Sequence, residues 1–427
     1  MLELFEIKQN FASPSLSLTL LKTKIEKEMD RLLSNTHLSA NASVAITAGS
    51  RGITNIAFIF KVIVKVLQDR GLSPFLVPAM GSHGGATAEG QIEVLEHLGI
   101  TEQTIGAPIR SSMNVDYIGE TNNGTPVYMD QHSFSADGII VVNRIKAHTA
   151  FRGKVESGLS KMIAIGLGKI KGATFIHQGG ALKMAETIES VSKMALKQSP
   201  ILFGLGIIEN GYDETADLVG VTKEEWHQKE TELLAWSKTM MPSLPVDDID
   251  LLIVEEMGKC FSGTGMDPNI IGRWRIQGVQ EPERPTIKRI AVLDLADQSF
   301  GNAQGVGLAD FMTDALFKKI DRKSTYTNAL TSTYLQRAML PFIYATEEEA
   351  IRTAVQSLGP QVDNHKLRIV QIPNTLHLGR VIVSKSIIEE LKQTNKSFDI
   401  IRQFRMEFNE VGHLQFKITR HKVKEVL

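Results

Sequence analysis

The 427 residues, at roughly 100–200 per domain, suffice for two or three domains that each bury a core. Lys and Arg total 47 against 48 Asp and Glu, and the resulting net charge of −1 offers no polybasic field for nucleic acid or an anionic membrane surface. The single cysteine, Cys260, excludes an internal disulfide framework and any cysteine-built zinc or iron–sulfur site.

The N-terminal residues Met1–Ile7 lack a basic start ahead of an apolar core, so no signal peptide is expected there. The most apolar stretch, 56–67, is interrupted by Lys61 and Lys65 and is too short to span a bilayer. A cytoplasmic protein is expected. Residues 43–49 read as a short strand ending in glycine. Ile56, Ile59, Phe60, Ile63, Val64 and Leu67 then recur at helical spacing and are closed by Gly71. A second apolar run at 74–79 leads into Gly81-Ser82-His83-Gly84-Gly85 and a helix over about 88–98. This alternation predicts a parallel α/β layer, extended by a strand at 138–143, helices at about 157–168 and 180–198, and a strand at 201–208. The polar clusters at 48–52, 81–87 and 143–154 each follow a strand, where ligands sit in such layers.

Residues 242–248 read as a linker, after which the pattern restarts: a strand at 249–254, the loop Ser262-Gly263-Thr264-Gly265, a strand near 289–295, helices near 308–319 and 346–357, and a strand at 367–372. Beyond Ser397 the alternation of Phe404, Met406 and Phe408 with Leu414, Phe416 and Ile418 suits a hairpin. The expected fold class is α/β, with two α/β domains and a cleft between them. Residues 1–245 form the first domain and 246–397 the second, with the tail 398–427 a candidate to pack back on the first.

Three histidines stand in unusual contexts: His83 between glycines, His148 just past a strand, and His177 ahead of Gly179-Gly180. Each taken alone reads first as a solvated or hydrogen-bonded loop histidine. His97, His413 and His421 are assigned to that ordinary reading. Arg51, in the turn after the first strand, could grip a carboxylate or phosphate. Lys161 lies in the apolar run Leu159–Ile165, where it reads as a snorkelling surface residue or as a functional amine. The glycine loops match neither a dinucleotide fingerprint nor a P-loop. Cys260 is expected to be a buried thiol.

Taken in order, these motifs resemble the nickel-dependent lactate racemase family, most strongly over residues 46–180. Gly81-Ser82-His83 resembles the family's Gly-Thr-His element, Ser157-Gly158-Leu159-Ser160-Lys161 its Ser-Gly-Gly-x-Lys, and His177 stands where a nickel-binding histidine is placed. Tyr117–Thr121 and Gly124–Val127 also match. The family's Asp-x-Thr-Arg-Pro appears as Ala48-Gly49-Ser50-Arg51-Gly52, keeping only the arginine and a hydroxyl.

The resemblance implies racemisation or epimerisation of a small-molecule 2-hydroxy acid, lactate-like or a sugar acid, by reversible hydride transfer to a nickel-pincer nucleotide. It implies that Lys161 tethers this cofactor with Ser50, Arg51, Ser157 and Gly158 around it, and that His177 is a nickel ligand, with His377 the next candidate. It also implies His83 and His148 as general bases, with Arg51 and either Arg275 or Arg273 on the substrate. Neither nucleic acid nor membrane is expected as a partner. The alternatives are a nickel-free, nucleotide-using oxidoreductase or hydrolase, and a non-catalytic two-lobed binder of organic acids or sugars.

Overall fold

The computed structural model describes residues 2–11, 14–360, 363, 365–394 and 396–419, so His421 and the rest of the terminal segment lie outside the described residues. The chain divides into one unit of Ser13–Met241 and a second of Met1–Ala12 with Pro242–Leu427.

Strand β1 (Glu3–Gln9) belongs to the second unit. In the first unit, β2 (Ser43–Ala48), β3 (Ser73–Pro78), β6 (Gly138–Arg144), β7 (Ile201–Glu209) and β8 (Thr215–Thr222) form a sheet in the order β3-β2-β6-β7-β8. All are parallel except β8, and β4 (Val115–Glu120) pairs with β5 (Pro126–Asp130) as a separate hairpin. The strands are apolar because both faces are covered. Ile46, Ile140, Val142 and Leu205 pack under helices 18–33 and 56–69, while Ala45, Ile139 and Val141 pack under the helical segments 159–167, 180–198 and 226–240.

Helix 56–69 buries Ile59, Phe60, Ile63 and Leu67, the stripe that its spacing predicts. β3 lies on one side of β2 and β6 on the other, so the connections diverge at β2. The carboxyl ends of β2 and β6 thereby flank a topological switch point, where open parallel sheets leave room for ligands.

The second unit holds an eight-stranded sheet built from β1 with β9 (Asp248–Val254), β10 (Thr286–Val292), β11 (Phe311–Thr313), β12 (Phe342–Tyr344), β13 (Ile369–Ile372), β14 (Arg380–Ser384) and β15 (Phe398–Arg405). Its order is β12-β11-β10-β9-β13-β14-β1-β15. Two expectations are corrected here. The run 308–319 is not one helix, because Phe311 and Met312 pair with Ala291 and Val292 of β10 and only Asp314–Lys319 is helical.

The tail, expected as a candidate to pack on the first domain, groups with the second unit within the described residues. β15 pairs antiparallel with β1, and β1 pairs antiparallel with β14, so Glu3–Gln9 and Phe398–Arg405 share one sheet. The buried Glu6 of β1 is pinned by Arg380 of β14 and by Arg402 of β15 at 2.7 Å. The buried Glu255 accepts hydrogen bonds from the Ile418 and Thr419 N–H groups, both at 2.9 Å. Leaving either carboxylate buried without its partners is costly, and this holds the tail in place.

Candidate active site

Loops leaving β2, β3 and β6 meet the segment that follows residue 157. The Ala79 N–H donates to Ala48 O at 2.7 Å, joining the first two loops. Ser50 Oγ lies 2.5 Å from His83 Nδ1. Gly81 has φ +63°, and a Cβ there would meet Ile165 Cγ2 at 3.2 Å and Ile165 O at 3.3 Å, so the His83 loop approaches the Lys161 segment through a position that only glycine serves easily.

From β6, Asn143 Nδ2 donates to Gly158 O at 2.9 Å, and Lys146 and Ser157 exchange backbone hydrogen bonds at 2.9 and 3.2 Å. Lys161 ends a single turn, 159–161, that continues as a π-helix over Met162–Leu167. Such local widening of a helix is frequent at functional sites. His177 follows on the helix Lys169–Gln178.

Electrostatics join Arg51, Lys161 and His177. Burial, and then the Arg51 charge, push the Lys161 amine down to about 7. Burial, and then Lys161, push the His177 imidazole down to about 4. Arg51 is exposed as a residue, but desolvation of its guanidinium, and then Arg144, lower its pKa. Near neutral pH this cluster therefore holds an amine able to act as a nucleophile and an imidazole with an available lone pair. Arg144 is in turn ion-paired with Glu209, which also accepts the Thr54 N–H at 2.8 Å. Asp213 lies beside this pair and is pushed up to about 6, by burial first and by Glu209 second.

His148 lies two residues beyond the Lys146 bridge. Its Nδ1 accepts the Ala150 N–H at 3.1 Å and its ring stacks on Phe151 with centroids 4.1 Å apart. A neutral ring accepting at Nδ1 carries its hydrogen on Nε2. The His148 N–H donates at 2.7 Å to the buried Glu156, which pairs with Lys238 at 2.8 Å.

The other expected residues lie in the second unit. Arg275 Nη2 pairs with Asp310 at 2.9 Å beside Arg273 at 2.7 Å, so both guanidinium groups are engaged within that unit. His377 Nδ1 is 3.1 Å from Asn374 Nδ2. Cys260 is exposed, correcting the expected buried thiol. Among the described residues no group of three or more His, Cys, Asp or Glu could hold a metal ion unaided. A metal at His177 would need further donors from a bound group, which is the arrangement a metal-carrying organic cofactor supplies.

Residues 19–187, the segment containing this cluster, match the lactate racemase N-terminal domain. A solved structure of a Thermotoga maritima protein resembles the chain with a TM-score of 0.51 at 14% identity, covering 86% of this chain and 99% of that one, and shares its fold. The lactate racemase apoprotein from Thermoanaerobacterium thermosaccharolyticum gives a TM-score of 0.49 at 14% identity, covering 87% of this chain and 98% of that one. No curated protein sequence matches the chain.

The structure also adds a residue that the sequence does not single out. Glu230, on helix Trp226–Met240, is buried beneath the lysine turn and accepts from the Ser160 N–H at 3.0 Å and from the Ser160 hydroxyl. A Cβ on Gly158 would come within 2.2 Å of Glu230 Oε1, which accounts for a glycine before the turn. In sequence Glu230 is one of several acidic residues on an amphipathic helix, and nothing local marks it.

Burial pushes the Glu230 carboxyl up to about 7, against the hydrogen bonds from Ser160. The folded state then binds a proton more tightly than the unfolded state between the ordinary glutamate value of ~4.3 and about 7, so Glu230 makes stability fall as pH rises through that window. Glu230→Gln is expected to remove roughly 3 kcal/mol of that decline. The measurement is the difference between wild-type and variant unfolding free energies at pH 5 and pH 8, and a difference that does not change with pH would contradict the assignment.

Proposed function

We propose that this protein racemises or epimerises a 2-hydroxy acid, with Lys161 and His177 holding a nickel-pincer nucleotide and His83 and His148 handling the substrate hydroxyl proton. What supports the reading is a lysine amine lowered to about 7 and, coupled to it, an imidazole lowered to about 4, both in the segment 19–187 that is similar to the lactate racemase N-terminal domain. When bound, the cofactor would supply a hydride acceptor, which suits a substrate whose carbon-bound hydrogen is hardly acidic.

The chain's own residues account for the rest. Lys161, deprotonated for about half the time near pH 7, can form the covalent tether. His177 stays neutral well below that pH and can donate to nickel. Arg51 supplies a guanidinium fork for the substrate carboxylate. His148 can give a proton from Nε2 only as the imidazolium, which requires Nδ1 to release the Ala150 N–H. The Ser50 hydroxyl can donate to or accept from His83 Nδ1, so His83 can present Nε2 in either state and serve as the acceptor.

The test is mass spectrometry of the Lys161 peptide, with metal analysis, on protein made in a host that also makes the cofactor. A covalent adduct at Lys161 and stoichiometric nickel are expected. His177→Ala should keep the adduct and lose most of the nickel. Active protein with an unmodified Lys161 would falsify the tether, and undiminished nickel in His177→Ala would move the ligand elsewhere.

A further inference from the structure

Below the site, two polar side chains are buried completely. Lys169 Nζ donates to Pro78 O at 2.5 Å and to Gln91 Oε1 at 3.0 Å, and lies 3.5 Å from Asp130 Oδ2. Gln91 Nε2 donates to Gly81 O at 3.0 Å and to His83 O at 3.3 Å. One continuous chain of hydrogen bonds thus runs from the start of the His177 helix, through Gln91, to the backbone of the His83 loop.

Lys169 has φ +50°, in the left-handed region that a lysine rarely occupies, at the point where the π-helix gives way to helix Lys169–Gln178. Aiming the Lys169 amine inward at that junction accompanies this unusual backbone. A second contact ties the same two elements: the Gly81 N–H donates to Gly166 O at 3.3 Å, and a Cβ on Gly166 would meet Ala79 O at 2.6 Å.

We propose that Lys169 and Gln91 are positioning residues that lock the His83 loop to the helical segment carrying Lys161 and His177, so that the base and the cofactor-holding groups keep one register. Its catalytic meaning rests on the racemase reading, but the coupling exists in the protein without any bound group and is measured there. Gln91 is suited to the task because its amide accepts from the lysine and donates to two loop carbonyls at once. A carboxylate in its place would satisfy the lysine alone.

The experiment is hydrogen exchange of the unliganded full-length protein, read in peptides spanning 80–87 and 162–170, together with the His83 imidazole titration followed by NMR. In the wild type the two peptides should share one protection factor and open together. Gln91→Glu, which keeps the lysine's acceptor and removes the donors, should speed exchange in 80–87 by about tenfold or more and shift the His83 titration, leaving the remainder of the first unit unchanged. Lys169→Met should loosen both peptides.

Unchanged exchange at 80–87 in both variants, or a loss of protection spread evenly over the unit, would overturn the proposal. Should both variants fail to fold, the wild type decides, because a His83 loop that opens about tenfold more readily than 162–170 is not locked to it. Loaded wild-type protein that racemises no 2-hydroxy acid would remove the functional reading while leaving the exchange result standing.

Discussion

Lys161→Ala and Lys161→Arg are both expected to abolish covalent loading and to lower turnover by on the order of 10³-fold or more. The alanine variant removes the nucleophile, while the arginine variant keeps a cation of similar reach that cannot lose its proton. The reason for choosing this amine over other lysines is its setting. Burial and the neighbouring Arg51 charge hold it at about 7, whereas an ordinary lysine titrates near ~10.4. Its reaction with an amine-selective reagent in unliganded protein should therefore follow a curve with its midpoint near pH 7, and Arg51→Ala should move that midpoint upward. A labelling midpoint near that of surface lysines would sink the argument, whatever the activity of the variants.

His83→Ala and His148→Ala should each lower kcat for racemisation by about 10²–10⁴-fold with little change in KM, since each removes a proton-transfer partner and leaves Arg51 to bind the acid. Polarimetry started from either pure enantiomer should show matched losses in kcat/KM for a true racemase, because the equilibrium constant between enantiomers is one. The pH profile tests the pair. Turnover in either direction needs one histidine neutral and the other protonated, with the roles exchanging as the direction reverses, so the wild type should show a bell and each single variant should lose one of its limbs. A variant whose defect is confined to KM would reassign that histidine to substrate binding, and unchanged limbs in both variants would remove the acid–base assignment.

Much of the first unit is legible in the sequence because its signals are local and repeated. The apolar stripe of helix 56–69, the continuous apolar runs of β3 and β6, and the glycines after the strands each report on structure within a few residues. The helix expected over 308–319 fails for the opposite reason. Phe311–Thr313 gains ladder hydrogen bonds from β10, a partner about twenty residues away in sequence, and that outweighs helical periodicity over so short a run. The tail fails similarly, since its partners Glu6 and Glu255 are remote and look like solvated acidic residues when read in order.

The sequence by itself determines the α/β class of the first unit, the loops that follow its strands, and the presence in those loops of Ser50, Arg51, His83, His148 and Lys161 with His177 downstream. Residue type and short-range spacing suffice for this. The electrostatic state of those residues is decided only by the tertiary structure. Lys161 and His177 are ordinary titratable groups until burial strips their hydration and Arg51 and Lys161 come within reach of them. The supports are likewise invisible in the chain order. Glu230 reaches Ser160 across 70 residues and Lys169 reaches Gln91 across 78, and a buried polar group gains its meaning only from the partner that meets it after folding.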